Sequence, residues 1–448
     1  MKESGTNPMK PLHLLTASSL ILLAVAGVRA ETDNRYIGTY RLTDGSIVDI
    51  ARSTPADTLH WRRFDGATGK LRKDGRGGWT STYGWTDRPD GTRVSFSGEN
   101  AVQLHFNDSI GTRVAFDVTE TKFESHGIPL TGRLILPKGN DRVPVVVLIH
   151  GAEHDSALDN YALQRMFPAE GIGAFVYDKR GTGKSGGTYT QVFDLLADDA
   201  VAAMHQARKL AGLRVSRIGY QGGSQGGWVV PLAANRAPVD FVIVCFGLAV
   251  TVIEEDQEEV ALEMRLKGYP PDVIAQAQEV ARAAEEVWAS DFTNGFEQLD
   301  AIRAKYKSEP WYKDVHGNYA HFFLPHSEAE LRKMGPEFKW GTPFHYEPMP
   351  TLRASTTPQL WILGEDDLES PSAETGRRIK SLIAEGRPFT LAMFPGAEHG
   401  LTEYETAPDG ERISTRWAAG YFEMMRDFAR DGSLARNYGR STITLRSR

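Results

Sequence analysis

Cysteine is almost absent from this chain: Cys245 is the single one in 448 residues. One thiol makes no intramolecular disulfide, so the fold must rest on its packed core. The position of Cys245 in the apolar run 241–246 predicts an inert buried side chain. Basic charge is also in short supply. Lys and Arg number 51 against 58 Asp and Glu, a formal charge of −7, which leaves no electrostatic footprint for nucleic acid. Grouped metal ligands are lacking too: His316, His321 and His326 recur every five residues, a spacing that leaves one helical face, and no companion ligand is evident. Neither a metal nor a cofactor is expected. The glycine-rich stretch 181–187 lacks the geometry of a phosphate loop, because Asp178 stands where a Walker motif needs a glycine five positions before Gly183.

Hydrophobic residues make up 41% of the chain, ordinary for a protein with a full core, and the length allows one large α/β domain beside a smaller one. Residues 1–30 read as a signal peptide. Lys2 and Lys10 give a basic start, 14–28 is apolar but short for a membrane span, and Val28-Arg29-Ala30 offers small residues at the cleavage positions. Cleavage after Ala30 would take the charge to −9 and leave an exported chain, periplasmic or extracellular, with no stable membrane insertion. Residues 31–111 alternate short β-branched and aromatic runs with Gly, Asp and Asn turns, which predicts a small antiparallel β domain with Trp61, Trp79 and Trp85 as core, a carbohydrate or ligand platform being the alternative. From 112 to 432 strands alternate with helices, implying a mostly parallel central sheet covered on both faces. Phe193, Leu196, Ala197, Ala200, Met204, Ala207 and Ala211 follow helical spacing, with Asp198, Asp199 and Arg208 expected nearer solvent. Residues 433–448 read as a solvated tail.

The run Gly222-Gly223-Ser224-Gln225-Gly226-Gly227 follows a strand-like segment, 215–220, and precedes a helix-like one, 228–236. G-x-S-x-G places a serine on a sharp strand-to-helix turn, with Gly222 and Gly226 expected where a Cβ would collide. The N–H of Gln225, at the helix start, is positioned to hold an oxyanion. Such a serine needs a histidine base and a carboxylate, in the chain order Ser, Asp or Glu, His. Both are present. The apolar strand 358–364 runs into Glu365-Asp366-Asp367-Leu368-Glu369, and the next strand, 389–394, is followed by Glu398-His399-Gly400.

With these motifs the chain resembles the α/β-hydrolase superfamily over roughly residues 112–432. Its further marks are His150-Gly151 after the strand 143–149 and Asp178-Lys179-Arg180-Gly181-Thr182-Gly183-Lys184-Ser185-Gly186 after 172–177. The resemblance implies a Ser224, Asp367, His399 triad, Asp367 being preferred because it stands three residues beyond the strand-ending Gly364. It also implies a second oxyanion N–H from Ala152. The wording of the motifs looks most like secreted bacterial hydrolases of the carboxylesterase and serine-peptidase-like branch.

Residues 251–356 interrupt the alternation and read as a helical cap inserted over the site. Trp288, Trp311, Tyr312, Tyr319, Phe322, Phe323, Trp340 and Phe344 offer aromatic surface for an acyl pocket or for the cap's own packing. The acidic run Glu254-Glu255-Asp256-Gln257-Glu258-Glu259 either meets a substrate amine or complements a helix dipole. Glu398 is expected to be solvated, His150 to shape the oxyanion loop, and His154 is a cleft candidate without a role. The expected activity is ester hydrolysis of a small-molecule substrate through an acyl-enzyme. A peptidase or amidase acting on short peptides, a thioesterase or lactonase, and a non-catalytic binding module are the alternatives; oligomeric state is not readable.

Overall fold

The computed structural model describes residues 34–55 and 57–445. The signal-peptide segment 1–30 therefore lies outside the described residues, as do Arg446 and Arg448 of the tail. Eight short strands open the chain: β1 (Gly38–Leu42), β2 (Ile47–Arg52), β3 (Leu59–Arg63), β4 (Thr68–Lys73), β5 (Trp79–Thr82), β6 (Pro89–Ser97), β7 (Gln103–Phe106) and β8 (Ser109–Arg113). Each pairs antiparallel with the next, and β8 returns to β1 through Tyr40 opposite Arg113, closing a barrel. Alternation sends Tyr40, Leu42, Val48, Ile50, Leu59, Trp61, Leu71, Trp79 and Leu104 inward, where they form the barrel core. Trp85 differs from the other two tryptophans. It is only half-buried and meets Trp417 of the following domain edge-on, with ring centroids 5.0 Å apart.

The second sheet begins with the hairpin β9 (Phe116–Ser125) and β10 (Ile128–Pro137), turned by His126 and Gly127, both at positive φ. Then come β11 (Val143–Ile149), β12 (Gly173–Tyr177), β13 (Val215–Gly223), β14 (Phe241–Cys245), β15 (Gln359–Gly364) and β16 (Phe389–Phe394). These six are parallel and ordered β16-β15-β14-β13-β11-β12, with the β9–β10 hairpin antiparallel at one edge. Strands β11, β12, β14 and β15 are buried along their whole length, as a sheet covered on both faces requires. Along β11, Val145, Val147 and Ile149 pack with the helices Phe193–Ala211 and Gly226–Arg236, while Val146 and Leu148 pack on the opposite face with Tyr421–Asp431. This is the α/β-hydrolase fold with an N-terminal β domain.

Two expectations are corrected here. Asp199 is fully buried, not near solvent, because it faces the sheet beside Leu196 and Ala203 and takes a hydrogen bond from Arg180 Nε at 2.7 Å. The tail is not a free extension. Residues Thr442–Thr444 form β20, antiparallel to β16 at the far edge of the sheet, and Tyr438 is buried. Three further strands, β17 (Ala397–Glu398), β18 (Thr402–Thr406) and β19 (Arg412–Trp417), form a small sheet beyond β16. The barrel docks there through the Trp85 backbone N–H, which bonds to Ser414 O at 2.9 Å, and separately on the helix Leu163–Ala169, where the buried Asp49 receives both Arg165 Nε, at 2.8 Å, and Arg165 Nη2, at 2.7 Å.

The inserted block carries helices Val252–Leu266, Pro271–Ala289 and Phe296–Tyr306, then short turns. Thr251 begins the first with a capping box closed by Glu254, whose carboxylate also meets Arg378 at 2.7 Å. Among the described residues no helix is long and apolar enough to cross a membrane.

Candidate active site

Strand β13 ends at Gly223, and the helix Gly226–Arg236 starts three residues later. The turn between them forces Ser224 to φ +50°, a left-handed conformation uncommon for a residue with a Cβ. Its N–H bonds to Cys245 O at 3.1 Å, and its carbonyl accepts from the Gly227 N–H at 2.7 Å, so both neighbouring elements hold the turn. A Cβ on Gly222 would lie 2.8 Å from Val230 Cγ1, and one on Gly223 would lie 2.7 Å from Phe246 Cζ. Gly226, expected to be equally crowded, is not: its nearest neighbour would be the His150 carbonyl at 3.4 Å. Gly227 takes its place, with Gly247 Cα 2.8 Å from the added atom.

The acid and base loops leave adjacent strands and are stitched together. Glu365 N–H bonds to Phe394 O at 3.0 Å, Asp366 N–H bonds to Ala397 O at 2.9 Å, and any side chain on Gly364 would strike the Ala397 carbonyl. Asp367 is 1% exposed; it accepts from the Ser370 N–H at 2.8 Å with one oxygen and lies 3.0 Å from His399 Nδ1 with the other. Asp366 is engaged elsewhere, by the Tyr404 hydroxyl at 2.9 Å. Burial pulls the His399 pKa down, but the Glu369 and Asp367 carboxylates outweigh it and leave it raised to about 10.

Ser224 and His399 line one cleft of about 1170 Å³, large enough for a drug-sized ligand or a short peptide. Ala152 lines it as well. Gln225 does not, although it stands at the N-cap position of the helix that follows the elbow. Neither the Gln225 nor the Ala152 N–H has an acceptor among the described residues, while the Ala152 carbonyl is held by the Tyr189 hydroxyl at 2.6 Å. His150 is buried beneath this loop, with Nε2 2.9 Å from the Tyr177 carbonyl, and burial lowers its pKa to about 4. Asp178 anchors the same region, accepting from Ser156 Oγ at 2.7 Å, Leu158 N–H at 3.1 Å and Lys184 N–H at 2.8 Å. His154 stacks on Tyr189 at 3.5 Å and stays off the cleft. Cys245 is buried, its thiol pushed up to about 12 by burial.

Of the two expectations for the cap aromatics, packing is the one observed. None of Trp288, Trp311, Tyr312, Tyr319, Phe322, Phe323, Trp340 and Phe344 lines the cleft. Trp288 instead has Tyr319, Phe323, Trp340 and Phe344 rings within 4.7–5.8 Å, and this cluster joins the core of the central sheet, holding the cap to it. Aromatic lining comes from Tyr161, Phe246, Tyr404, Trp417, Tyr421 and Phe422 of the hydrolase body. The barrel adds Arg62, whose guanidinium stands 5.4 Å from the Trp417 ring. Glu398 is half-buried and held rather than free in solvent: it lines the cleft, accepts from Ser414 Oγ at 3.3 Å and meets Arg412 at 3.7 Å.

The acidic run also resolves by position. Glu254 is a cap residue, and Glu255 is buried, accepting from Ser370 Oγ at 2.9 Å; neither lines the cleft. Burial raises the Glu255 pKa to about 8. One and two turns further along the helix, Glu259 and Glu263 do line the cleft, opposite His316. These three offer ligand atoms within 4.8 Å of one another, the group best able to hold a metal ion among the described residues, and they supply the companions that the histidine spacing alone lacked. Glu369, passed over in the sequence as one of several loop carboxylates, places Oε1 3.7 Å from His399 Nε2.

The chain is similar to several known proteins. Residues 141–304 match the family model described as serine aminopeptidase, S33. A curated relative, the quorum-quenching protein AidA of Acinetobacter baumannii, is 30% identical over 119 residues, which are 26% of this chain and 39% of that protein. Solved structures with related folds include an esterase of Pyrococcus furiosus, 15% identical, covering 63% of this chain and 84% of its own, TM-score 0.40. The acylaminoacyl peptidase of Pyrococcus horikoshii is 14% identical, covering 79% of this chain and 52% of its own, TM-score 0.39.

Proposed function

We propose that this chain, a member of the α/β-hydrolase superfamily, is a serine hydrolase that cleaves carboxylic esters of small molecules through an acyl-enzyme. The observation that carries this reading is Ser224 at positive φ on a strand-to-helix turn, facing the same cleft as a histidine whose Nδ1 is held by a buried aspartate. In this account His399 takes the Ser224 proton at Nε2 as Oγ attacks the ester carbonyl. Asp367 fixes the ring with its proton on Nδ1 and stabilises the imidazolium. The free N–H groups of Gln225 and Ala152 receive the developing oxyanion, the preorganised donors such a charge requires. His399 then returns the proton to the leaving alkoxide, and water activated by the same base releases the acid. No metal or cofactor enters these steps.

The experiment is hydrolysis of p-nitrophenyl esters of graded acyl length beside aminoacyl and dipeptidyl anilides, with the wild type and Ser224→Ala. Ester turnover that is lost in the variant supports the reading, and turnover that persists removes it. A peptidase or amidase is the second reading, favoured by one observation: Glu259 and Glu263 line the cleft and could meet a substrate amine. Anilide turnover at comparable efficiency would put that reading first. The basic start, apolar run and small residues of 1–30 support export to the periplasm or beyond. The mature amino terminus, read by mass spectrometry, tests it: Glu31 first is expected, and a retained residue 1 counts against export.

A further inference from the structure

A serine hydrolase needs its histidine neutral, with Nε2 able to accept a proton. The surroundings of His399 oppose that. Nδ1 lies 3.0 Å from Asp367 and Nε2 lies 3.7 Å from Glu369, so a carboxylate faces each ring nitrogen. Asp367 is within hydrogen-bond reach and Glu369 at ion-pair distance, and both carboxylates favour a positive charge on the ring. Phe246 covers the ring edge-on at 4.9 Å and supplies no competing charge. The other titratable groups acting on the ring are also acidic: buried Glu255, and Glu398, which is already engaged by Arg412. Around Glu369 stand Asp367, Glu153, Glu259 and Tyr319. Lys179 is directed to the Gly151 carbonyl at 2.7 Å, and among the described residues no Lys or Arg pairs with Glu369. The Glu369 backbone is tied to the cap, its carbonyl accepting from Asn318 Nδ2 at 3.1 Å, while its side chain lines the cleft.

We propose that Glu369 is a positioning residue that clamps His399 as an imidazolium before substrate binds, so that turnover requires this ion pair to open. The inference rests on the serine-hydrolase reading and adds to it a residue that sets when the base is available. Opening conserves charge and protons: the imidazolium gives its Nε2 proton to Glu369 or to water, the freed lone pair turns to Ser224 Oγ, and the proton taken from Oγ replaces the one released. The acid limb of the rate is then set by Glu369, since an opposing charge at this range shifts a pKa by about 1–3 units.

Two measurements on the full chain test the clamp. The pKa of His399 is followed by ¹⁵N NMR in the wild type, Glu369→Gln and Glu369→Asp. In parallel the pH dependence of kcat/KM is recorded with p-nitrophenyl butyrate, an uncharged ester, using Ser224→Ala as control. The clamp predicts that Glu369→Gln lowers the His399 pKa and the acid limb together by about one unit or more, and that Glu369→Asp restores part of the shift. A pKa and acid limb unchanged in Glu369→Gln would overturn it, since a purely structural Glu369 would alter rate without moving either. If the pKa falls but ester turnover does not depend on Ser224, the ion pair stands while the hydrolase reading, and the catalytic role of the clamp with it, is refuted.

Discussion

Replacing Asp367 by Asn changes one charge and almost no volume, so its effect can be worked from the geometry. The amide oxygen can still accept from the Ser370 N–H, now at 2.8 Å, which keeps the loop folded. What is lost is the negative charge 3.0 Å from His399 Nδ1. At an effective dielectric near 20, a unit charge pair at that distance is worth about 5 kcal/mol, an upper bound that corresponds to roughly 10⁴ in rate. Loss of the tautomer that presents Nε2 to the serine acts in the same direction, and the analogous change in a well-studied protease costs about 10⁴ in kcat. The assay is kcat on a p-nitrophenyl ester for Asp367→Asn beside Asp366→Asn. The second variant keeps the Tyr404 contact in neutral form and is expected to stay within about tenfold of wild type. If Asp366→Asn is the crippled enzyme and Asp367→Asn is not, the acid has been misassigned. If neither loses more than tenfold, the orientation argument itself fails.

Other consequences can be measured separately. Glu255 is buried with its pKa raised to about 8, so the folded state binds a proton that the unfolded chain loses near pH 4.5. Its stabilising share is therefore complete below pH 4.5 and lost as pH rises to about 8; Glu255→Gln, which can keep the Ser370 contact, should raise the thermal midpoint at pH 8 and leave it unchanged at pH 4. Arg180→Met strands the fully buried Asp199 without its partner and should cost about 3–5 kcal/mol, read as a lower urea midpoint; an unchanged midpoint would mean the pair is dispensable. Gly222→Ala must push Val230 and the Gly226 carbonyl and should lose about 1–3 kcal/mol together with activity, whereas Gly226→Ala, facing 3.4 Å of clearance, should be milder; the reverse order would contradict the geometry of the turn.

The parts of the fold that were legible in sequence are those written in short-range pattern. The nearly continuous apolar runs of β11, β12, β14 and β15 announce a sheet covered on both faces, and the glycines around Ser224 announce a tight turn. The closing pair of the barrel joins Tyr40 to Arg113 across more than seventy residues, and no local pattern encodes that return. Asp199 was readable in principle, because it lies three residues after buried Leu196 and four before buried Ala203 on one helical face. Reading it as a surface charge followed its chemistry when its phase was the better guide. Glu369 carried no such signal. In the run 365–369 it is one carboxylate among several, and only its 3.7 Å approach to His399 distinguishes it from a solvated neighbour. The cap aromatics had the composition of an acyl pocket, but their rings satisfy one another around Trp288 and leave the cleft wall to Glu259, Glu263 and His316.

The central claim is that Ser224 is the nucleophile. Intact-mass analysis after exposure to a fluorophosphonate, with peptide mapping of any adduct and kinetics of Ser224→Ala on the best ester, tests it directly. A single adduct on the peptide holding Ser224, absent from the variant, with turnover reduced by roughly a million-fold, is the predicted result. An adduct on another residue, or ester turnover surviving in Ser224→Ala, would contradict the account.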